Sequence, residues 1–222
     1  MPVNLNQLYQ KLVEESRKGP VVLGGVDFAG AWSDRFLPNL LSTDGLTVNQ
    51  AAVSYDQTKG GVVRISGTCA DIYGEKNTPI TALICAQPGN DGGIGLLVNL
   101  DLSPNRSLAE SFGDQIAATP TNGGQSGNIL SGIRLERATL ILSSFPRPQG
   151  QAAANLFNEL IPKKSAAAQV SALQCGANIV GQARLDTNLL GITKKAEDAT
   201  YSVLATVSAE RHPYRWTTGR PR

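Results

Sequence analysis

The chain has 222 residues, 41% of them hydrophobic and 17% charged, with a formal net charge of +2. That balance excludes a disordered polymer, which carries less apolar and more charged sequence. It also excludes the broad basic face of a nucleic-acid binder: four arginines without an acid lie in residues 211–222, and the rest of the chain is slightly acidic.

Aromatic residues make up only 5%, so a core must be built from Val, Leu, Ile and Ala, and 23 Gly with 12 Pro suit short strands joined by tight turns. The three cysteines, Cys69, Cys85 and Cys175, are odd in number and lack C-x-x-C spacing. A dense disulfide scaffold and a zinc site built from local pairs are both excluded. Paired strands could bring Cys69 and Cys85 face to face, although buried free thiols are the commoner outcome. Residues 1–7 show no basic region followed by an apolar run, hence no conventional secretion signal. The expected location is cytoplasmic, or outside by an unconventional route. No stretch approaches 18 apolar residues, so no helix is expected to span a membrane.

In chain order, Leu5, Leu8, Tyr9, Leu12 and Val13 follow the spacing of an amphipathic helix. Asn4 or Asn6 can cap its start and Gly19-Pro20 ends it. Val21-Val22-Leu23, Gly24-Gly25 and residues 26–32 read as one or two short strands interrupted by glycine, with Trp32 a large core candidate. Leu46, Val48, Val53 and Tyr55 alternate with period two, but the phase changes near Ala51-Ala52, as a bulge would cause. Residues 56–61 have turn chemistry and residues 62–67 return as a strand, the clearest hairpin in the chain. Further strands are expected over 80–86 and 94–102, divided by a Gly-Asn-Asp-Gly turn. Ser107 to Glu110 has capping-box form and opens a short helix carrying Leu108, Phe112 and Ile116. Residues 119–127 are the best linker candidate. A second run follows, with a strand over 133–142, an apolar helical face at Leu156, Phe157, Leu160 and Ile161, and strands near 170–173, 178–183 and 201–207. Residues 185–194 fit either strand or helix.

Residues 45–53 align with 132–140, sharing the glycine and the apolar positions 46/133, 48/135, 51/138 and 53/140. Residues 70–74 are echoed by 177–181. The expected fold is therefore α+β: a mainly antiparallel sheet built from two pseudo-repeats, each with a covering helix, plus the N-terminal helix. The expected division is 1–118 and 128–222, or one continuous domain.

Chemistry-bearing patterns are few. The only histidine, His212, sits in the basic tail, a poor place for a base that must be held rigidly. There is no G-x-S-x-G elbow, and the cysteines lie in apolar strand-like contexts that disfavour a reactive thiolate. Asp71, Glu75 and Asp91 do not fit the spacing of an EF-hand loop. The glycine-rich stretches 89–95 and 123–127 lack both phosphate-loop and dinucleotide-binding spacing, and hairpin turns account for them. No catalytic residue, metal site or cofactor is indicated. Tyr214, Arg215 and Trp216, with Arg211 and Arg220 as charge partners, form the one cluster of the kind favoured at protein contacts. Two β-rich units leave sheet edges that need cover. The expected function is thus a non-enzymatic structural or interaction protein, self-assembling or docking to a protein partner. Two alternatives stand beside it: a binder of a small apolar ligand in a β-rich cavity, and a carboxylate-dependent hydrolase or isomerase.

Overall fold

The computed structural model describes residues 5–28, 47–69, 77–86, 93–102, 104, 107, 132–144, 176–185 and 200–208. Within them one helix, α1 (Leu5–Ser16), precedes eight strands: β1 (Val21–Asp27), β2 (Thr47–Asp56), β3 (Val62–Cys69), β4 (Thr78–Ala86), β5 (Ile94–Leu102), β6 (Ile133–Ser143), β7 (Gly176–Leu185) and β8 (Thr200–Ser208). All pair antiparallel in sequence order, forming a single eight-stranded meander. The helices expected near 108–116 and 152–161, the strand near 170–173 and the linker at 119–127 lie outside the described residues.

The helix forms where the apolar spacing places it, and its stripe lies on one face of the sheet. Leu8 and Leu12 are buried, while Leu5, Tyr9 and Val13 pack partly buried against the same core. Burying two leucines contributes about 1.5–3 kcal/mol each, which offsets the weak intrinsic stability of a 12-residue helix. Ser16, buried in the last turn, keeps its hydroxyl satisfied by donating to the Leu12 carbonyl at 2.5 Å. The Gly19 amide then closes the end on the Ser16 carbonyl at 3.1 Å, and Pro20 turns the chain into β1.

The core face runs through Val48, Ala51 and Val53 on β2, Val63 and Ile65 on β3, and Ile80, Ala82 and Ile84 on β4. It continues through Leu96, Val98 and Leu100 on β5, Leu135, Ala138, Leu140 and Leu142 on β6, and Ile179 and Ala183 on β7. The opposite face is divided. Over β1 to β3 Val22, Gly24, Ala52 and Arg64 are exposed, while Val62 at the start of β3 is buried. Over β4 to β7, Leu83, Cys85, Leu97, Ile141, Asn178 and Val180 are buried as well. Strands covered on both sides lose the polar half of their alternation. That explains the unbroken apolar runs Leu83-Ile84-Cys85 and Leu140-Ile141-Leu142.

The phase change expected in β2 is present as a register shift between Asn49 and Ala52 against β3. Val48 and Ala51 both face the core with two residues between them, and Gln50 takes a left-handed φ of 49°. β6 does the same: Leu135 and Ala138 both face the core, and the register against β7 shifts between Leu135 and Arg137. A glycine stands opposite each irregularity. A Cβ on Gly67 would lie 2.5 Å from the Asn49 carbonyl oxygen, and one on Gly181 would lie 2.1 Å from that of Arg137. Backbone carbonyls cannot swing aside as a side-chain tip can, so both positions exclude any side chain. Residues 70–74, the expected counterpart of 177–181, are outside the described set. Among the described residues it is Gly67 that faces the β2 bulge, as Gly181 faces that of β6.

β1 copies the irregularity of its neighbour. Val21, Leu23 and Val26 face the core, so two residues, Gly24 and Gly25, again separate core-facing positions. The glycine pair thus marks a kink within one strand rather than a break between two.

Cys69 and Cys85 do not pair. Cys69 lies opposite Thr78 at one end of the β3–β4 ladder, while Cys85 sits seven residues further along β4, opposite Gly95 of β5. At about 3.3 Å per residue they are roughly 23 Å apart, and an odd offset turns them to opposite faces. Both are buried free thiols.

Gly67→Ala and Gly181→Ala should each lose at least about 2 kcal/mol of stability by denaturant unfolding, the range for a forced clash in a packed interior. Gly24→Ala, where a Cβ meets nothing within 4 Å, should stay within about 0.5 kcal/mol of the parent.

Candidate functional site: the free edge of the sheet

Among the described strands the sheet does not close, and β1 is one of its two outer strands. Its inner side pairs with β2 from Val21↔Val53 to Asp27↔Thr47. Among the described residues no other strand pairs with its outer side. The side chains are as open as the backbone. Val22 is 76% exposed, the only large apolar residue so exposed among the described ones. Gly24, Gly25 and Asp27 are exposed too, and only Val26 is fully buried. Natural edges are blunted by lysine, proline, bulges or inward charges. Of these, β1 has the kink at Gly24-Gly25 and one charge at its last residue; Pro20 stands just outside it.

The elements behind β1 fix it firmly. The β2–β3 turn is closed by Asp56, whose carboxylate accepts from the Thr58 hydroxyl at 2.6 Å, the Thr58 amide at 2.9 Å and the Lys59 amide at 3.3 Å. Those bonds, led by the Thr58 hydroxyl, hold the carboxyl below its ordinary pKa. A depressed folded-state pKa means that this support exists above pH 3.8 and fades as pH falls below it. The Tyr9 hydroxyl donates to the Gly61 carbonyl at 2.7 Å and so ties α1 to the same turn. Burial, then the neighbouring Tyr55 phenol and Cys85 thiol, pushes the Tyr9 phenol above its ordinary value. Since α1 leads directly into β1, this latch also sets where the edge begins.

Other polar groups are engaged within the sheet. Thr139 donates to the Asp101 carboxylate at 3.2 Å, Asn178 to the Ile141 carbonyl at 3.3 Å, and Arg184 forms an ion pair with Glu136. Ser144 clamps the far end of the β5–β6 ladder: its hydroxyl accepts from the Leu96 amide and its own amide donates to the Leu96 carbonyl. Burial pushes both described thiols up to about 12, so neither is a nucleophile near neutral pH. Cys69 instead donates to the Thr47 carbonyl at 3.2 Å. Among the described residues no three His, Cys, Asp or Glu side chains converge as a metal site would require, and no helix is long and apolar enough to cross a membrane.

The contact residues expected from the sequence, Arg211, Tyr214, Arg215, Trp216 and Arg220, lie outside the described residues, as does His212. Val22 and its edge were missed by sequence reasoning. The available signal was a strand free of charge from Val21 to Val26, soon after the Arg17-Lys18 turn that follows α1. No family model matches the chain, and comparison with curated proteins and with solved structures returns no match either.

Tyr9→Phe removes one hydrogen bond and should cost about 0.5–1.5 kcal/mol at neutral pH. Because the folded-state pKa of Tyr9 is raised, its contribution is whole below pH 10 and declines above it. Unfolding curves of the two proteins should therefore converge as pH rises past 10.

Proposed function

We propose that this chain is a structural or interaction protein that acts through assembly, with β1 as its contact strand. The observation that carries the reading is the open edge itself. Among the described residues, no strand pairs with the outer side of β1 from Val21 to Val26, where alternate residues turn their N–H and C=O groups outward beside an exposed valine. Adding a strand satisfies those groups and covers that apolar surface, the mode by which sheets recruit extended segments. The reading needs no catalytic group. It rests on an edge with which no other described strand pairs.

The two-unit reading of the sheet belongs to the same proposal. The phase switch falls at the same step of the aligned segments, between Val48 and Ala51 in β2 and between Leu135 and Ala138 in β6. Each switch is met by a glycine on the next strand. That coincidence supports two copies of one β-unit joined edge to edge through β5 and β6. The arginine-rich tail is a second candidate contact arm, independent of β1.

Light scattering after size exclusion tests the reading. The full chain should exceed its monomer mass of 23.4 kDa increasingly with concentration, and Val22→Lys, which sets a charge on the open edge, should return it to the monomer. Truncation after Ser208 should leave the assembled size unchanged if β1 carries the contact, and should reduce it if the tail does. A full chain that stays monomeric at several hundred micromolar would sink the proposal.

A further inference from the structure

We infer that the strand seated on β1 is β8 of a second copy of this chain, paired antiparallel in the register that β4 and β5 use inside one copy. The inference rests on the edge reading above and adds the partner and its register. Pairing register recurs along this ladder with a period of four strands. β5 stands to β6 as β1 stands to β2: Val21 lies opposite Val53 and Leu23 opposite Ala51, while Leu100 lies opposite Leu140 and Leu102 opposite Ala138. The likeness resumes past Leu102, where Ser107 bridges Arg134 as Asp27 pairs with Thr47. In every case the β2 and β6 residues are those that align in the sequence. β8 likewise stands to β7 as β4 stands to β3. Gly67 lies opposite Ile80, Ile65 opposite Ala82 and Val63 opposite Ile84. Gly181 lies opposite Val203, Ile179 opposite Ala205 and Ala177 opposite Val207. β4 and β8 thus carry Ile, Ala, Ile and Val, Ala, Val at matching positions.

One step of that period has no counterpart among the described strands of a single copy. β4 pairs with β5, Ile80 opposite Leu100, and the equivalent step would join β8 to β1. Those two strands are the ends of the described order, and a second copy can supply the missing neighbour to each. Carrying the β4–β5 register across sets Val21 opposite Val203, Val22 opposite Ser202, Leu23 opposite Tyr201 and Gly24 opposite Thr200. The phase agrees. Val21 and Leu23 pack against the core, and Tyr201 holds the register position opposite Ala183, which faces that core in β7. A slip of one residue would set core-facing positions against the open face. The contact joins unlike edges, so each added copy leaves a β1 and a β8 to be paired, and growth continues until a ring closes. Its span from Val21 to Gly24 is short, so assembly builds up with concentration.

Cross-linking between two variants of the full chain decides the matter. Val22→Cys and Ser202→Cys are each made in a Cys175→Ser background; buried Cys69 and Cys85 do not compete. Cβ atoms directly opposite across a strand pair lie about 4.5–5.5 Å apart, near disulfide range, and diagonal ones about 7–8 Å apart. Under mild oxidation a mixture of the two variants should give a linked heterodimer, and either alone should give none. Gly24→Cys, two residues off the register, should lose most of that link when mixed with Ser202→Cys. A charge exchange needs no disulfide: adding Ser202→Glu to Val22→Lys chains should restore their assembly. Val22→Cys that links to itself as readily as to Ser202→Cys would seat β1 on β1 and overturn the inference. A chain bearing both cysteines that locks only within itself, at any concentration, would overturn both the inference and the edge reading. Assembly that Val22→Lys abolishes, with neither heterodimer nor restoration, would overturn the partner and leave the edge reading intact. A monomeric parent chain would remove both.

Discussion

Each switch of phase in this sheet depends on one close approach: a strand that gains a residue must press its backbone against the strand beside it. In β2 and β6 the partner yields because it has no side chain there, at Gly67 and Gly181. Without those approaches the phase of β2 could not change, and Val48 and Val53 could not both face the core. β1 must then follow β2 through the same step, which it does at Gly24-Gly25. The kink that makes the outermost strand look broken in the sequence is thus imposed from two strands away. The same approaches act as register pins, since slipping either pair by one residue would drive a Cβ into a carbonyl oxygen.

The second organising fact is the unequal cover of the two faces. One face carries α1 and a continuous apolar core, while the other is buried over β4 to β7 and largely open over β1 to β3. β1 to β3 therefore have one well-covered face, whereas much of β4 to β7 is buried on both. The buried hydroxyl of Thr139 and the buried amide of Asn178 donate to partners in the neighbouring strands. The contact chemistry proposed for β1 thus sits at the end of the sheet where covering is least complete.

Much of the local structure was legible in the residues. Five apolar positions placed α1, turn chemistry at 56–61 placed the first hairpin, and a break in alternation placed the bulge in β2. The likeness of residues 45–53 to 132–140 was legible as aligned apolar positions, whereas the glycine facing each bulge was not, because the choice of facing residue depends on pairing register. Cys69 and Cys85 show the same limit: only the register reveals that they are turned to opposite faces. That β1 is an edge was also hidden, since an edge is defined by the strand that does not follow it, and no residue encodes that locally. The tail cluster, by contrast, was conspicuous in composition and falls outside the described residues.

Every described strand pairs with the described strands that flank it in the chain, so among them building order and synthesis order coincide. As the polypeptide leaves the ribosome, each new strand finds the preceding one already present and need not wait for a distant segment. Such a ladder can zip forward from its first hairpin with modest loop-closure cost, despite being almost wholly β. α1, which precedes the described strands, reaches its full seat only when β5 has joined β2 and β3, because it packs against all three. The opening segment of the chain thus becomes a late clasp on a sheet that grew up behind it.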